Sequence, residues 1–232
     1  MRKALLFLAL WSLSLPAIEP VTVLRMGVDT PQDKSVDPVW RQTQAIFADA
    51  NVQLTFVYLP ANPARLLRML SQGEVDVLPE ASMRQDRLDY AWYSEAYRTE
   101  TSVLLVNARR ADRFPIQHLD DIVKNGWYVI EDGAGWYGKE WAQFREKLVA
   151  AKLNIPAGNP EDDARSLQLD RADIMLATDA KVALLNYRQR GLAVLPYILN
   201  EEPVYYLFSK KTVNAETISR INLAIKKNRL PE

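Results

Sequence analysis

The sequence predicts an α/β fold whose sheets are mostly parallel. Short apolar runs rich in valine, leucine and isoleucine alternate with amphipathic helical segments from about residue 21 to residue 227. Helix signals stand between successive strand signals, and that order favours parallel pairing. Polar and cationic residues follow one of the buried strands directly, where open α/β sheets bind ligands.

In order along the chain, Val21–Val28 reads as a strand with Asp29 at its end. Asp37 suits the cap of a helix that begins at Pro38 and carries Val39, Trp40, Ile46 and Phe47 on its apolar side. Val52–Tyr58 is the next strand. Asn62 and Pro63 open a second helix, Leu66, Leu67 and Leu70 form its apolar face, and Gly73 fits just past its end. Val75, Val77 and Leu78 make a short buried strand. Ser102–Val106 is a strand, and Leu119–Lys124 a helix stopped by Gly126. Trp127–Ile130 is a strand, followed by a long helix reaching about Lys152 and a loop over Asn154–Asp163. Arg165–Leu169 (helix), Ile174–Ala177 (strand), Lys181–Arg190 (helix), Tyr206–Phe208 (strand) and Thr217–Lys227 (helix) complete the pattern.

Composition narrows the function classes. The 232 residues carry 29 basic and 29 acidic side chains, with no basic stripe of the kind nucleic acid demands. Arg2 and Lys3 precede an apolar run, Ala4–Leu15, that ends in Pro16-Ala17. That run is short for a membrane span, and its flanks predict a secretory signal peptide over residues 1–17 and export to the periplasm. There is no cysteine, which excludes disulfides, cysteine-based zinc sites and thiol catalysis. The one histidine, His118, reads as a surface residue at a helix start. No metal, cofactor or catalytic constellation is expected, and the chain is read as a non-enzyme.

One stretch is more specific. Leu70, Gly73 and Asp76 are followed by Ser82, Arg84 and Arg87, and then by Tyr93, Ser94, Ala96 and Tyr97. Farther on, Asp170-Arg171-Ala172-Asp173 precedes Ile174, Met175 and Leu176. In order and spacing the chain resembles bacterial periplasmic solute-binding proteins of the amino-acid-binding type, extracellular solute-binding family 3. Their patterns are L-x-x-G-x-x-D, T-x-T-x-x-R, F-S-x-P-Y and G/N-R-x-D. Arg84 replaces a threonine and Ala96 a proline. The resemblance implies a two-lobed type II periplasmic binding fold, each lobe a mostly parallel sheet flanked by helices, joined by two hinge strands. Lobe one would comprise residues 18–101 and 203–232, and lobe two residues 102–202. It also implies a small carboxylate-bearing solute, an ABC transporter permease as partner, and a monomer. A ligand-sensing partner of a membrane receptor and a dehydratase-like enzyme are the alternatives on the same fold.

The candidate ligand-binding residues are Asp29, Glu80, Ser82, Arg87, Gly133, Gly135, Trp136, Thr178 and Asp179. A guanidinium fork matches a carboxylate, and the family places an arginine at the position of Arg87 for that purpose; the plain alternative is an ion pair with Asp86 or Asp89. Ser82 offers a hydroxyl to the same group, or stabilises a turn. Glu80 and Arg84 either bring charge into the cleft or form an outward ion pair. Asp29 ends the first strand, where relatives have an acid that contacts ligand or orders the loop. Gly133-Ala134-Gly135 reads as the opening of a helix whose amides approach an anion. Trp136 would stack on a ligand or belong to the core. Relatives place an amino-group-binding aspartate at a position that falls here on Thr178, with Asp179 next; Asp179 is alternatively a helix cap.

Overall fold

The computed structural model describes residues 21–28, 38–59, 63–133 and 135–228. The expectations for the signal peptide, Asp29, Asp37, Asn62 and Ala134 lie outside these residues. Nine strands and seven helices succeed one another: β1 Thr22–Val28, α1 Pro38–Asp49, β2 Val52–Tyr58, α2 Pro63–Gln72, β3 Val77–Ser82, β4 Ala91–Tyr93 and β5 Arg98–Asn107. Then come α3 Asp120–Asn125, β6 Val129–Glu131, α4 Lys139–Ala150, β7 Asn154–Pro156, α5 Pro160–Gln168, β8 Ile174–Thr178, α6 Asp179–Leu185, β9 Leu192–Ser209 and α7 Ala215–Lys227.

The strands run in the order β2-β1-β3-β9-β5-β8-β6-β7, with β4 paired to β9. Both flanks are parallel: β1 pairs in parallel with β2 and β3, and β6 with β7 and β8. The pairings that involve β5 and β9 are antiparallel. Two long strands therefore join two parallel wings.

Period-two alternation sorts side chains onto opposite faces. In β9, Val204, Tyr206 and Phe208 face a core shared with α1 and α7, while Leu207 faces α2 with Leu66 and Leu70. In β5, Leu104 and Val106 join Trp141, Phe144 and Leu148 of α4, while Val103 and Leu105 join Ala164 and Leu167 of α5. Helices cover both faces of each wing, which explains the unbroken apolar runs. The first pair of clusters draws on residues up to Tyr97 and from Val204 on; the second draws on Val103 through Leu199. Two lobes result, each with its own core.

The motif residues are structural ties. Asp76 accepts from the Arg25 amide at 2.7 Å and from the Arg25 guanidinium at 2.7 and 2.9 Å, and its own amide donates to the Arg25 carbonyl. Asp173 repeats this in the other lobe: it accepts from the Tyr128 amide at 3.0 Å and from Arg110 at 3.0 Å, and its amide donates to the Tyr128 carbonyl. Each acid stands just before a strand and locks it to its parallel neighbour. Ser94 and Tyr97 tie the chain to β9: the Ser94 hydroxyl accepts from the Tyr206 amide, and Tyr97 stacks on Tyr206 with centroids 4.1 Å apart.

Several elements differ from the sequence reading. The strand begun at Val77 runs on to Ser82, so Ser82 closes the strand instead of following it. Asn154–Asp163 holds strand β7 and the start of α5, whose first turn is capped by Asn159 and filled with Glu161, Asp162 and Asp163. Helix α6 ends at Leu185 and is closed by Asn186 in the left-handed region. The return strand is a single 18-residue element, Leu192–Ser209, which reaches well before the Glu202–Tyr205 crossing and the Tyr206–Phe208 strand read from the sequence.

Candidate functional site

The carboxyl ends of β3, β6 and β8 converge beside the two joining strands. Register fixes their neighbourhood. Ser82 and Arg98 flank Val204 of β9 on opposite sides, and Thr178 pairs with Ser102 four residues along β5. Lobe-one loop and lobe-two loop thus meet at the joining strands.

On the lobe-one side, Arg87 sits in a single 3-10 turn, Gln85–Arg87, directly after β3. It is only 8% exposed. Its Nη1 donates to the Ser82 carbonyl at 3.3 Å, and this is the one hydrogen bond of its side chain among the described residues. Neither Asp86 nor Asp89 takes it: Asp86 instead accepts from Arg84 Nε at 3.0 Å. Ser82 is buried, and its hydroxyl makes no hydrogen bond among the described residues. Two largely buried residues, Arg87 and Ser82, therefore lie side by side at the end of β3, and neither the guanidinium nor the hydroxyl is among the buried polar atoms left without a partner.

Arg84 and Glu80 do not pair with each other as an outward couple. The Arg84 guanidinium carbon lies 5.2 Å from the ring centre of Trp136, so lobe one touches lobe two there by a cation–π contact. Glu80 reaches Arg98 at 2.8 Å. Trp136 is not core: half-buried, it donates its indole N–H to Glu202 at 3.1 Å.

On the lobe-two side, Gly133 and Gly135 do not open a helix. α4 starts at Lys139, capped by Gly138 at φ +92°. A Cβ on Gly135 would lie 2.6 Å from the Tyr137 ring, whereas one on Gly133 would meet only the movable end of Arg145 at 2.7 Å. Thr178 is the cap of α6, its hydroxyl accepting from the Lys181 amide at 3.3 Å. Asp179 is therefore not the cap. It is half-exposed and pairs with Arg98 at 3.0 Å.

Sequence reading missed Arg98 and Glu100. They are two apart on β5, so both point to the same face. Arg98 Nη2 also donates to Glu100 at 2.8 Å. Burial pushes the Glu100 carboxyl up to about 8, Glu80 adds to the rise by like-charge repulsion, and Arg98 opposes it. For Arg98, burial works against the charged form, but Glu80, Tyr97, Glu100 and Asp179 outweigh it and raise its pKa. The available signal was the alternation of charge in Arg98-Thr99-Glu100, directly after the aromatic motif.

Arg-bearing loop, glycine loop and acid-bearing helix lie beside the paired joining strands, and the overall fold recurs in solved structures. Arginine-bound truncated ArgBP from T. maritima superposes with a TM-score of 0.69 at 17% identity, covering 88% of this chain and 95% of that one. The GluR0 ligand-binding core from Nostoc punctiforme, in complex with L-glutamate, gives 0.65 at 15% identity, covering 90% and 92%. A histidine kinase sensor domain with similarity to periplasmic binding proteins gives 0.67 at 17% identity, covering 90% of each chain. The chain has the type II periplasmic-binding-protein fold. No family model and no curated protein matches its sequence. Among the described residues of this binding-protein fold, no helix is long and apolar enough to cross a membrane.

Proposed function

We propose that the chain is an exported solute-binding protein. It captures a small polar solute bearing a carboxylate, of the amino-acid type, between its two lobes. It does no chemistry on the solute. Residues 18–101 and 203–232 form lobe one, residues 102–202 form lobe two, and residues 1–17 are removed on export to the periplasm. The monomer delivers its solute to an inner-membrane ABC transporter permease.

The observation that carries this reading is Arg87: a residue 8% exposed whose guanidinium makes a single 3.3 Å hydrogen bond among the described residues. A guanidinium with only one hydrogen bond to the described residues keeps its fork available, and a planar carboxylate matches that fork. The Ser82 hydroxyl adds a neighbouring donor. Trp136, Asp179 and the loop around Gly133 and Gly135 supply the facing wall, and Asp29 is assigned to the end of β1.

The sensory reading is the second, favoured by one observation. The histidine kinase sensor domain superposes about as well as ArgBP, 0.67 against 0.69. On that reading the closed lobes dock on a membrane receptor instead of a permease.

Calorimetric titration of unfolded and refolded protein with L-amino acids, dicarboxylates and short peptides tests the proposal. It expects saturable binding of at least one of them at micromolar concentration. A folded protein that binds none contradicts it. Capture of a permease rather than a kinase from detergent-solubilised membranes separates the two readings.

A further inference from the structure

Arg98 is the first residue of β5 and stands where the two lobes meet. Its side chain is 7% exposed. Nη2 donates to Glu80 of β3 at 2.8 Å and to Glu100 at 2.8 Å, while Nη1 donates to Asp179 of α6 at 3.0 Å and to the Thr99 carbonyl at 3.2 Å. One guanidinium thus holds a carboxylate from lobe one and a carboxylate from lobe two at the same time.

We propose that Arg98 is a built-in clasp that keeps the two lobes together without a bound solute. Arg98 is tied by its backbone to Val204 on the lobe-one side, so opening the cleft has to break the Asp179 arm, and the Glu80 arm holds the guanidinium in place for it. Both are charge-assisted hydrogen bonds from a buried guanidinium to partly exposed carboxylates, Glu80 at 37% and Asp179 at 46% side-chain exposure. Glu100 holds the guanidinium in place from its own strand. Glu80 is set for the contact by its backbone: φ is +54°, a left-handed value uncommon for this residue type, and its amide donates to the Tyr97 hydroxyl at 3.1 Å. That hydroxyl belongs to the ring stacked on Tyr206, so the anchor is built into the lobe-one core. The guanidinium fork is spent on its two terminal nitrogens; Nε is buried and makes no hydrogen bond. The arrangement is a single link, one cation between two lobes, and stands independently of what solute the cleft takes.

Small-angle X-ray scattering of the solute-free protein tests it. Asp179→Asn cuts the arm between the lobes and is expected to raise the radius of gyration; Glu80→Gln loosens the guanidinium and is expected to raise it by no more than that. The double variant is expected to expand no further than Asp179→Asn alone, because the arm between the lobes is already cut. Asn at position 179 keeps the acceptor that holds the Ala180 amide, and Thr178 still caps the helix. Arg98→Ala is expected to expand likewise and to recover the parent value in millimolar methylguanidinium, but not in methylammonium. Circular dichroism establishes that each variant is folded. A parent-like radius for folded Asp179→Asn overturns the clasp, as does a double variant that expands beyond Asp179→Asn alone. A failed clasp leaves solute binding at Arg87 unaffected, so the two proposals fall separately.

Discussion

Glu100 is the residue whose ionisation ought to be visible in solution. Glu80, Asp179 and Arg98 face it, with the Tyr97 phenol nearby, and its carboxyl titrates near 8 in the folded protein against an ordinary 4.5. A carboxyl raised on folding binds its proton more tightly in the native state. Its contribution to stability is therefore complete below about 4.5 and is lost as pH rises toward 8. The thermal midpoint should fall across that window, and Glu100→Gln should flatten the fall and melt higher than the parent above pH 8. Calorimetric melts at several pH values check this; an unchanged slope in the variant would contradict it. Asp76 has the opposite sign. Burial raises its pKa, but the Arg25 side-chain and backbone hydrogen bonds win, so its contribution is lost only as pH falls below the ordinary carboxylate range. At this scale the sequence singles out Arg87 and Ser82 as candidates, because both sit in one contiguous motif. Arg98 and Glu100 escaped because their partners lie 81 residues away in one case and in a different strand in another. Residue types alone do not announce such a meeting.

Elements were legible where burial alternates plainly with turn chemistry. β2 occupies Val52–Tyr58 as read, and α3 ends at Gly126 in the left-handed region, as a closing glycine should. β4 and β7 are three residues each and carry too little pattern. The long return strand hid behind exposed Pro196, Pro203 and Glu201, since its middle section faces solvent between two lobes. The paired ties of Asp76 and Asp173 account for the motif aspartates by strand locking. Asp76→Ala should cost about 1–3 kcal/mol in urea unfolding, since it strands the Arg25 amide, and Arg25 being largely exposed keeps the figure modest. Asp173→Ala should cost a similar amount through the Tyr128 amide and Arg110; a loss confined to one of the two would contradict their equivalence. Gly138→Ala is the sharper change. At φ +92° its Cβ would sit 2.7–2.9 Å from the Asn200 side chain. A cost of roughly 1–3 kcal/mol is expected in the same assay, and a neutral effect would mean the α4 cap relaxes freely.

The described molecule is two packed cores joined by β5 and β9, with Glu80, Arg98, Glu100 and Asp179 gathered where they meet. Hinge and closure behaviour belongs to that layout, not to either core. In Arg98→Ala, whose clasp is cut, a captured solute should contract the protein in solution scattering without changing its secondary structure, and a radius of that variant that does not respond to a bound solute would argue against closure. The deciding measurement is at the anchor. Isothermal titration of the tightest solute in the panel should be run on the parent, Arg87→Ala and Arg87→Lys. Losing a buried charge-assisted fork leaves the solute carboxylate stranded and should cost roughly 2–5 kcal/mol, about thirty-fold or more in affinity. Lysine should recover part, because it keeps the charge and loses the fork. Equal affinities for parent and folded Arg87→Ala would contradict the account.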